Sequence, residues 1–144
     1  ITGEKLYEGQ FIDAVNAAAE ASGVKLNYFA GYANLQESRY DWYFEFADPD
    51  ASAAQAQALA DLADANLKAS NIEYRAKRDS FRLKDPAVFL LQEHSYDKFK
   101  EHIIRRTKQD ASRFKPNVLS QNEEHHAVIA EYVHVCHESD KTTT

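Results

Sequence analysis

Lys115 lies in the run QDASRFKPN (109–117), between Phe114 and Pro116, behind a stretch rich in lysine and arginine. Proline cannot continue a helix, and it turns the residue before it away from helical dihedrals, so Lys115 belongs on a loop. An ammonium on a loop can reach out to a ligand, whereas one on a helix face usually meets only water. Its compact charge on a long stem suits an anion such as a nucleotide phosphate. Ser95–Lys115 holds seven Lys/Arg against three Asp/Glu, a local excess of four positive charges on a chain of net charge −6. A basic patch on an acidic chain argues against a generic nucleic-acid binder and fits a small anion better than a long polyanion. The plainer reading of the same charges is a solvated helix face, with Lys115 a surface residue.

A second group of chemically able residues is His125, His126, His134, Cys136 and His137. His134 and His137 are three apart and on a helix would share a face. No CxxC or HExxH spacing is present, however, and one thiol is too few for the usual structural zinc site, so no metal site is expected. Nothing in the spacing favours a Ser/His or Cys/His catalytic pair. The chain has only four glycines and no Gly-rich phosphate loop. The aromatic residues Tyr28, Tyr40, Trp42, Phe44 and Phe46 read as sheet core rather than as a platform for stacked bases.

The elements that must position these residues follow from periodicity. Phe11, Val15, Ala18 and Ala19 form a helical stripe over Glu8–Ala21, closed by Ser22-Gly23 with Gly23 as a left-handed cap. Val24–Asn34 alternates as a strand, with Val24, Leu26, Tyr28 and Ala30 opposed to Lys25, Asn27 and Phe29. In Tyr40–Phe46 the residues Tyr40, Trp42, Phe44 and Phe46 point one way, and Asp41, Tyr43 and Glu45 the other. The short polar link Leu35–Arg39 predicts an antiparallel hairpin. Ser52 and Gln55 have the form of a capping box, opening a helix to about Lys68 with Leu59, Leu62, Ala63 and Leu67 inside and Asn66 at the edge. Asn71–Lys77 predicts a short helix or turn. Ala87–Leu91 is apolar throughout, which predicts a strand buried on both faces and central in the sheet. Ser95 is the expected cap of the next helix, with Asp97 in its first turn, Tyr96, Phe99 and Ile103 facing in, and Lys98, Arg105 and Lys108 facing out. Ser120–Glu123 has the form of another capping box. Ile129, Tyr132, Val133 and Cys136 share a helical stripe, with a strand as the competing reading because of the β-branched residues. The order α-β-β-α-β-α predicts an α+β fold: a small mixed, partly antiparallel sheet flanked by helices, in a two-layer or three-layer sandwich.

The length of 144 residues suits one domain, and 44% hydrophobic residues suffice for a core. No segment approaches the roughly 20 apolar residues that span a bilayer, and no signal-peptide pattern is seen. The single cysteine excludes an internal disulfide framework, so a cytoplasmic setting is the default. The chain starts at Ile1 and contains no methionine, which suggests a piece of a longer protein.

The runs GEKLYE (3–8), SGVKLNYFAGYA (22–33), YDWYFEFADP (40–49), NIEYRAKR (71–78), LKDPAVFLLQEHSYDKFKE (83–101) and SRFKPNVL (112–119) occur in an order that resembles the C-terminal domain of the auxin-responsive promoter family of acyl-acid–amido synthetases. That family belongs to the adenylate-forming superfamily. The resemblance implies a missing N-terminal adenylation domain that binds ATP, Mg²⁺ and a carboxylic acid and forms an acyl-adenylate. An amino acid's amine then displaces AMP. The present chain, 1–144, would be a single lid-like domain, inactive alone, with 1–8 near the hinge and 138–144 a loose tail. Lys115 resembles the lid lysine of a "Q-[FY]-K-x-P" segment that contacts the nucleotide phosphates, with Arg113 standing where the family often has glutamine. Lys5 resembles the hinge-proximal lysine near the nucleotide. Asn71, Tyr74 and Arg78 match an "N-x-x-Y-x-x-x-R" stretch that reads as structural. The competing expectation is a stand-alone α+β interaction module that keeps the lid's fold without its chemistry. Neither nucleic acid nor membrane is an expected partner.

Overall fold

The computed structural model describes residues 8–107, 119–120, 127 and 133–136. Its elements are α1 (Glu8–Ser22), β1 (Leu26–Asn34), β2 (Arg39–Phe46), α2 (Ala53–Ser70), α3 (Ile72–Asp79), β3 (Ala87–Leu91), α4 (Ser95–Thr107), β4 (Leu119–Ser120) and β5 (Val133–Cys136). The strands form one mixed sheet in the order β4-β1-β2-β3-β5. The hairpin β1–β2 is antiparallel, with Asn34 opposite Arg39 at its closed end. Strand β2 runs parallel to β3, and β1 parallel to β4, whereas β5 is antiparallel to β3.

Both faces of the sheet are covered. On one face α1, α2 and α3 bury the main core: Phe11 and Val15, Leu59 and Leu67, and Tyr74 pack with Trp42, Phe44, Val88 and Leu90. On the other face α4 covers a smaller cluster of Tyr28, Ala30, Tyr43, Leu91 and Phe99. The result is the three-layer form of the expected sandwich. Strand β3 serves both clusters, through Val88 and Leu90 on one side and Phe89 and Leu91 on the other. Its apolar run reflects this double burial. It lies inside the sheet, next to the edge strand β5.

The local signals explain most boundaries. Helix α1 ends where Gly23 adopts φ 70°. There Val24 N donates to Ala19 O (3.0 Å) and Gly23 N to Glu20 O (3.2 Å), which satisfies two carbonyls of the last turn. Helix α2 starts at the expected capping box: Gln55 N donates to Ser52 Oγ (3.2 Å) and Ser52 N to Gln55 Oε1 (2.8 Å). Asn71 Oδ1 accepts from Tyr74 N (3.0 Å) and opens α3 directly behind α2.

Four expectations require correction. Leu62 is 41% exposed rather than in the core. The buried stripe of α2 runs through Ala56, Leu59, Ala60, Ala63 and Leu67; at about 100° per residue, Leu62 points roughly 120° away from its centre. In β1 the register shifts between Leu26 and Tyr28. Leu26 therefore joins the main core with Phe29, whereas Tyr28 turns to the α4 side. Val133–Cys136, preferred as helix, is strand β5. Its valines suit a pleated surface, and the outer edge of β3 supplies the hydrogen-bonding partner. Ser95, expected as the acceptor that caps α4, instead donates its hydroxyl to Gln92 O. The rest of the stripe, Ile129 and Tyr132, and the partners of Ser120 in its capping box lie outside the described residues, as does 138–144.

Candidate functional site

The first free N–H groups of α4 are held by a carboxylate from the sheet. Glu45 lies near the end of β2 and is 3% exposed. Its Oε1 accepts from Tyr96 N (2.8 Å), and its Oε2 accepts from His94 N (3.1 Å) and, more distantly, from Asn27 Nδ2 (3.5 Å). A negative charge at this end of a helix is favourable to the dipole as well as to the N–H groups. His94 adopts φ 67° to bring its N–H round. Tyr96 and Phe99 then lie against Tyr28, with ring centroids 4.7 and 6.4 Å away. Burial pushes the Tyr28 hydroxyl well above the usual tyrosine value, and Tyr96 and Glu45 push it further. Burial and the Asp97 carboxylate also raise Tyr96.

Glu45 is one of a buried row. Asp41, two turns of the pleat earlier on β2, is 2% exposed. It accepts from Arg39 Nε (2.9 Å) and Asn34 Nδ2 (3.1 Å). Tyr43, between the two carboxylates, stacks on Phe89 with centroids 4.9 Å apart. The role of Glu45 was not foreseen from the sequence. The available signal was the pair of acids interleaved with aromatic residues in Tyr40–Phe46, in a strand whose two faces are both buried.

A second polar network joins α2 to α3. Asp64 accepts from the Tyr74 hydroxyl (2.5 Å) and from Arg78 through two nitrogens, Nε (3.1 Å) and Nη2 (2.7 Å). Arg78 Nη2 also meets Asp85 (2.8 Å), and Lys68 Nζ lies 3.5 Å from Asp64. Burial raises the Asp64 carboxyl, but the Arg78 and Tyr74 hydrogen bonds and the Arg78 and Lys68 charges outweigh it and hold the group below its ordinary value. For Arg78, burial acts downward and is outweighed by Asp64, so its pKa is raised. Burial first, then Asp64, raises Tyr74 far above the usual value. Asn71 Nδ2 donates to Gln10 Oε1 (3.0 Å), tying this unit to the start of α1. Asn66 Nδ2 likewise donates to Ala14 O (3.1 Å). Asn71, Tyr74 and Arg78 thus serve a structural role in the described geometry: Asn71 caps α3 and reaches α1, Tyr74 and Arg78 tie α3 to Asp64 of α2, and Arg78 also holds the segment after α3 through Leu83 O and Asp85.

Lys115 and Lys5, the lysines with a chemical reading, lie outside the described residues. In sequence Lys115 falls between α4, which ends at Thr107, and β4, which begins at Leu119. Lys5 precedes α1. The shared helical face expected for His134 and His137 does not arise, since His134 is in β5. Among the described residues no three His, Cys, Asp or Glu side chains gather in a way that could hold a metal ion. No helix among them is long and apolar enough to cross a membrane.

Residues 9–124 match the family model described as the GH3 family C-terminal domain. The chain belongs to the GH3 family. The match runs from the first turn of α1 through α4 and past Lys115 in sequence. The fold agrees with a solved GH3.15 acyl acid amido synthetase at a TM-score of 0.76 and 17% identity, over 94% of this chain and 26% of that one. AtGH3.15 acyl acid amido synthetase in complex with 2,4-DB gives a TM-score of 0.76 and 17% identity, over 94% of this chain and 25% of that one. At such identity the likeness concerns the fold. The chain spans about a quarter of the length of these structures. No functionally curated protein matches the sequence.

Proposed function

We propose that this GH3 C-terminal domain is the lid of an ATP-dependent acyl-acid–amido synthetase, with Lys115 as its catalytic lysine and Lys5 as a nucleotide contact near the hinge. The observation that carries the reading is the family match over residues 9–124, in a chain about a quarter as long as the synthetases whose fold it shares. In this reading residues 1–144 work with an N-terminal adenylation domain, residues 1–8 adjoin the hinge, and 138–144 form a loose tail.

The chemistry needs what the lid would bring. When a carboxylate attacks the α-phosphate of ATP, negative charge concentrates on the phosphoryl oxygens and on the departing pyrophosphate. An ammonium placed there stabilises that charge, and does so more strongly once water is excluded. A lysine with its reference pKa near 10.4 is protonated at neutral pH and keeps the charge it needs. An amino acid's amine then attacks the acyl carbonyl and AMP leaves. In this reading the metal that accompanies ATP is held mostly by the larger domain. Placing the lysine on a mobile lid lets one active site present different surfaces to the two half-reactions.

The test begins with the intact mass of the native gene product, followed by ATP–pyrophosphate exchange in that product and in its Lys115→Ala variant. The expected result is a product several-fold heavier than this chain whose exchange collapses on mutation. A product of about this mass without exchange overturns the enzyme reading and leaves an interaction module. A large, active product indifferent to Lys115→Ala keeps the synthetase and removes the lysine's role.

A further inference from the structure

Among the described residues four large apolar side chains are exposed: Leu35, Leu62, Ile72 and Phe81. Three of them stand at one end of the domain. Leu35 (57% exposed) lies in the turn that closes the β1–β2 hairpin. Lys84 N donates to Ser38 O (2.9 Å), which brings the segment after α3, with Phe81 (84% exposed), against that turn. Ile72 (86% exposed) opens α3 next to Asn71, whose side chain holds Gln10 near the start of α1. Helix α1 finishes beside the opening of β1 and so starts towards the closed end of the hairpin. Leu62 alone lies elsewhere, midway along α2.

The Phe81 ring is held outward by its backbone. Its φ of 62° falls in the left-handed region, which is costly for a residue with a large side chain. Hydrogen bonds on both sides fix the turn: Ser80 N donates to Ala76 O (3.0 Å), Phe81 N to Arg78 O (3.2 Å) and Leu83 N to Lys77 O (3.1 Å). Leu83 is fully buried, so the turn cannot roll to bring the ring inward. The domain thus keeps a strained aromatic residue that gains no burial within it, and such strain clusters at sites with a role beyond the fold. The surrounding charge is basic: 35–39 and 75–85 hold six Lys/Arg against three Asp/Glu, on a chain of net charge −6.

We infer that this end of the domain docks on the larger N-terminal part of the same protein, through an apolar patch of Leu35, Ile72 and Phe81 with a basic rim. The inference rests on the lid reading, in which residues 1–8 adjoin the hinge. Two observations select this occupant. The chain spans about a quarter of the length of the synthetases whose fold it shares. The patch also stands at the end where α1 begins, so a domain joined through 1–8 lies nearest to it. The facing surface is then apolar at its centre and acidic around it.

The experiment is hydroxyl-radical footprinting of the full-length native product, read by mass spectrometry. Leu35 and Leu62 share one intrinsic reactivity, and in this domain alone Leu35 is the more exposed, at 57% against 41%. Docking should reverse the order, with Leu35 labelled at least about threefold more slowly than Leu62 and Phe81 as slowly as the buried Phe44. In a variant carrying Phe81→Asn and Ile72→Ser, Leu35 should again label faster than Leu62. Asparagine tolerates the left-handed turn, so Phe81→Asn alone decides should the double variant lose its fold. Rapid labelling of Leu35 and Phe81 in the unaltered full-length product overturns the inference. So does protection that the variant leaves intact, and so does protection lost on dilution, which assigns the patch to a second copy. Lys115→Ala keeps the two readings apart. An exposed patch in a product whose exchange depends on Lys115 removes only the docking, whereas a protected patch in a product indifferent to Lys115→Ala keeps the docking and removes the lysine's role.

Discussion

Asp64→Ala tests whether the network between α2 and α3 holds the domain together. Arg78 is 8% exposed along its side chain and Asp64 13%, so both charges are largely withdrawn from water. Removing one partner of a buried pair leaves the other charge without compensation and costs about 3–5 kcal/mol. Two features set the size here. Asp85 remains 2.8 Å from Arg78, but it is 92% exposed and is therefore a screened partner. The Tyr74 hydroxyl also loses its acceptor, in a residue with no exposed surface, which adds a cost of about 1–3 kcal/mol for an unsatisfied buried donor. The retained Asp85 contact and the added hydroxyl penalty act in opposite directions, so a loss of about 3 kcal/mol is expected. At about 3 °C per kcal/mol for a domain of this size, that lowers Tm by roughly 10 °C. Urea unfolding of the wild type, Asp64→Ala, Arg78→Met and the double variant supplies a cycle, and the double variant should be at least about 1 kcal/mol more stable than the two single losses predict by addition. A loss below about 1 kcal/mol for Asp64→Ala would place the pair with ordinary surface ion pairs and refute the reasoning. The pH dependence has a definite sign. The folded Asp64 carboxyl lies below its ordinary value, so the unfolded chain takes up the proton first as pH falls. Its contribution is complete above the unfolded carboxylate value near 4 and is lost as pH drops through the folded value. Asp64→Asn should therefore flatten the acid limb of the stability profile below about pH 4.

Three further outcomes follow from single features. Glu45→Ala should destabilise the chain by about 1–2 kcal/mol and raise amide exchange first in the opening turn of α4, because two partly buried N–H groups lose their acceptor; uniform exchange along α4 would count against the anchoring role. Phe81 is 84% exposed and adopts φ 62°, so Phe81→Asn, which tolerates that region, should raise stability by several tenths of a kcal/mol in thermal unfolding, whereas any loss would mean that the ring holds something. In an alkaline titration followed by tyrosine absorbance, Tyr28 and Tyr74 should remain protonated after exposed tyrosines ionise near pH 10. Because their folded values are raised, the stability they contribute is present below that pH and is lost above it.

The features legible in the sequence were those that local chemistry decides. Gly23 and the Ser52–Gln55 box mark helix ends wherever they occur, and the alternation in Tyr40–Phe46 predicts which side chains meet α1 and α2. The features that were not legible depend on a partner far along the chain. Nothing near Leu26 signals the shift that divides β1 between two cores. Val133–Cys136 follows a helical stripe as well as a strand pattern, and the open edge of β3 decides between them. Ser95 has the chemistry of a cap, but a carboxylate fifty residues earlier in sequence was already in place. For the site the division is similar: the order of motifs pointed to the family, whereas Glu45 emerged only once β2 and α4 were brought together.

The two faces of the sheet differ in a way that bears on the lid reading. The α1–α3 side is chiefly apolar, and its ties between elements, Asn66 to Ala14 and Asn71 to Gln10, join helix to helix. The α4 side has a smaller core and a buried acidic row on β2. A lid that turns as one body must carry its catalytic residue without slack, since an error of about 1 Å in placement can cost a hundredfold in rate. The chain bearing Lys115 leaves from α4 and returns to the sheet at β4, beside β1. Apolar contact alone is non-directional and would let α4 slide along the sheet. Glu45 removes that freedom, because its two oxygens fix two specific N–H groups of the helix start. Under the lid reading, Glu45→Gln in the full-length protein keeps the shape but puts an NH2, which cannot accept, where one of the two oxygens stood, so one of the two helix N–H groups loses its bond. It should therefore lower kcat for ATP–pyrophosphate exchange several-fold while leaving the KM for ATP within about twofold, because the lysine's aim matters most when charge develops. A change confined to KM would show that α4 serves ground-state binding, and the link from Glu45 to Lys115 would fail.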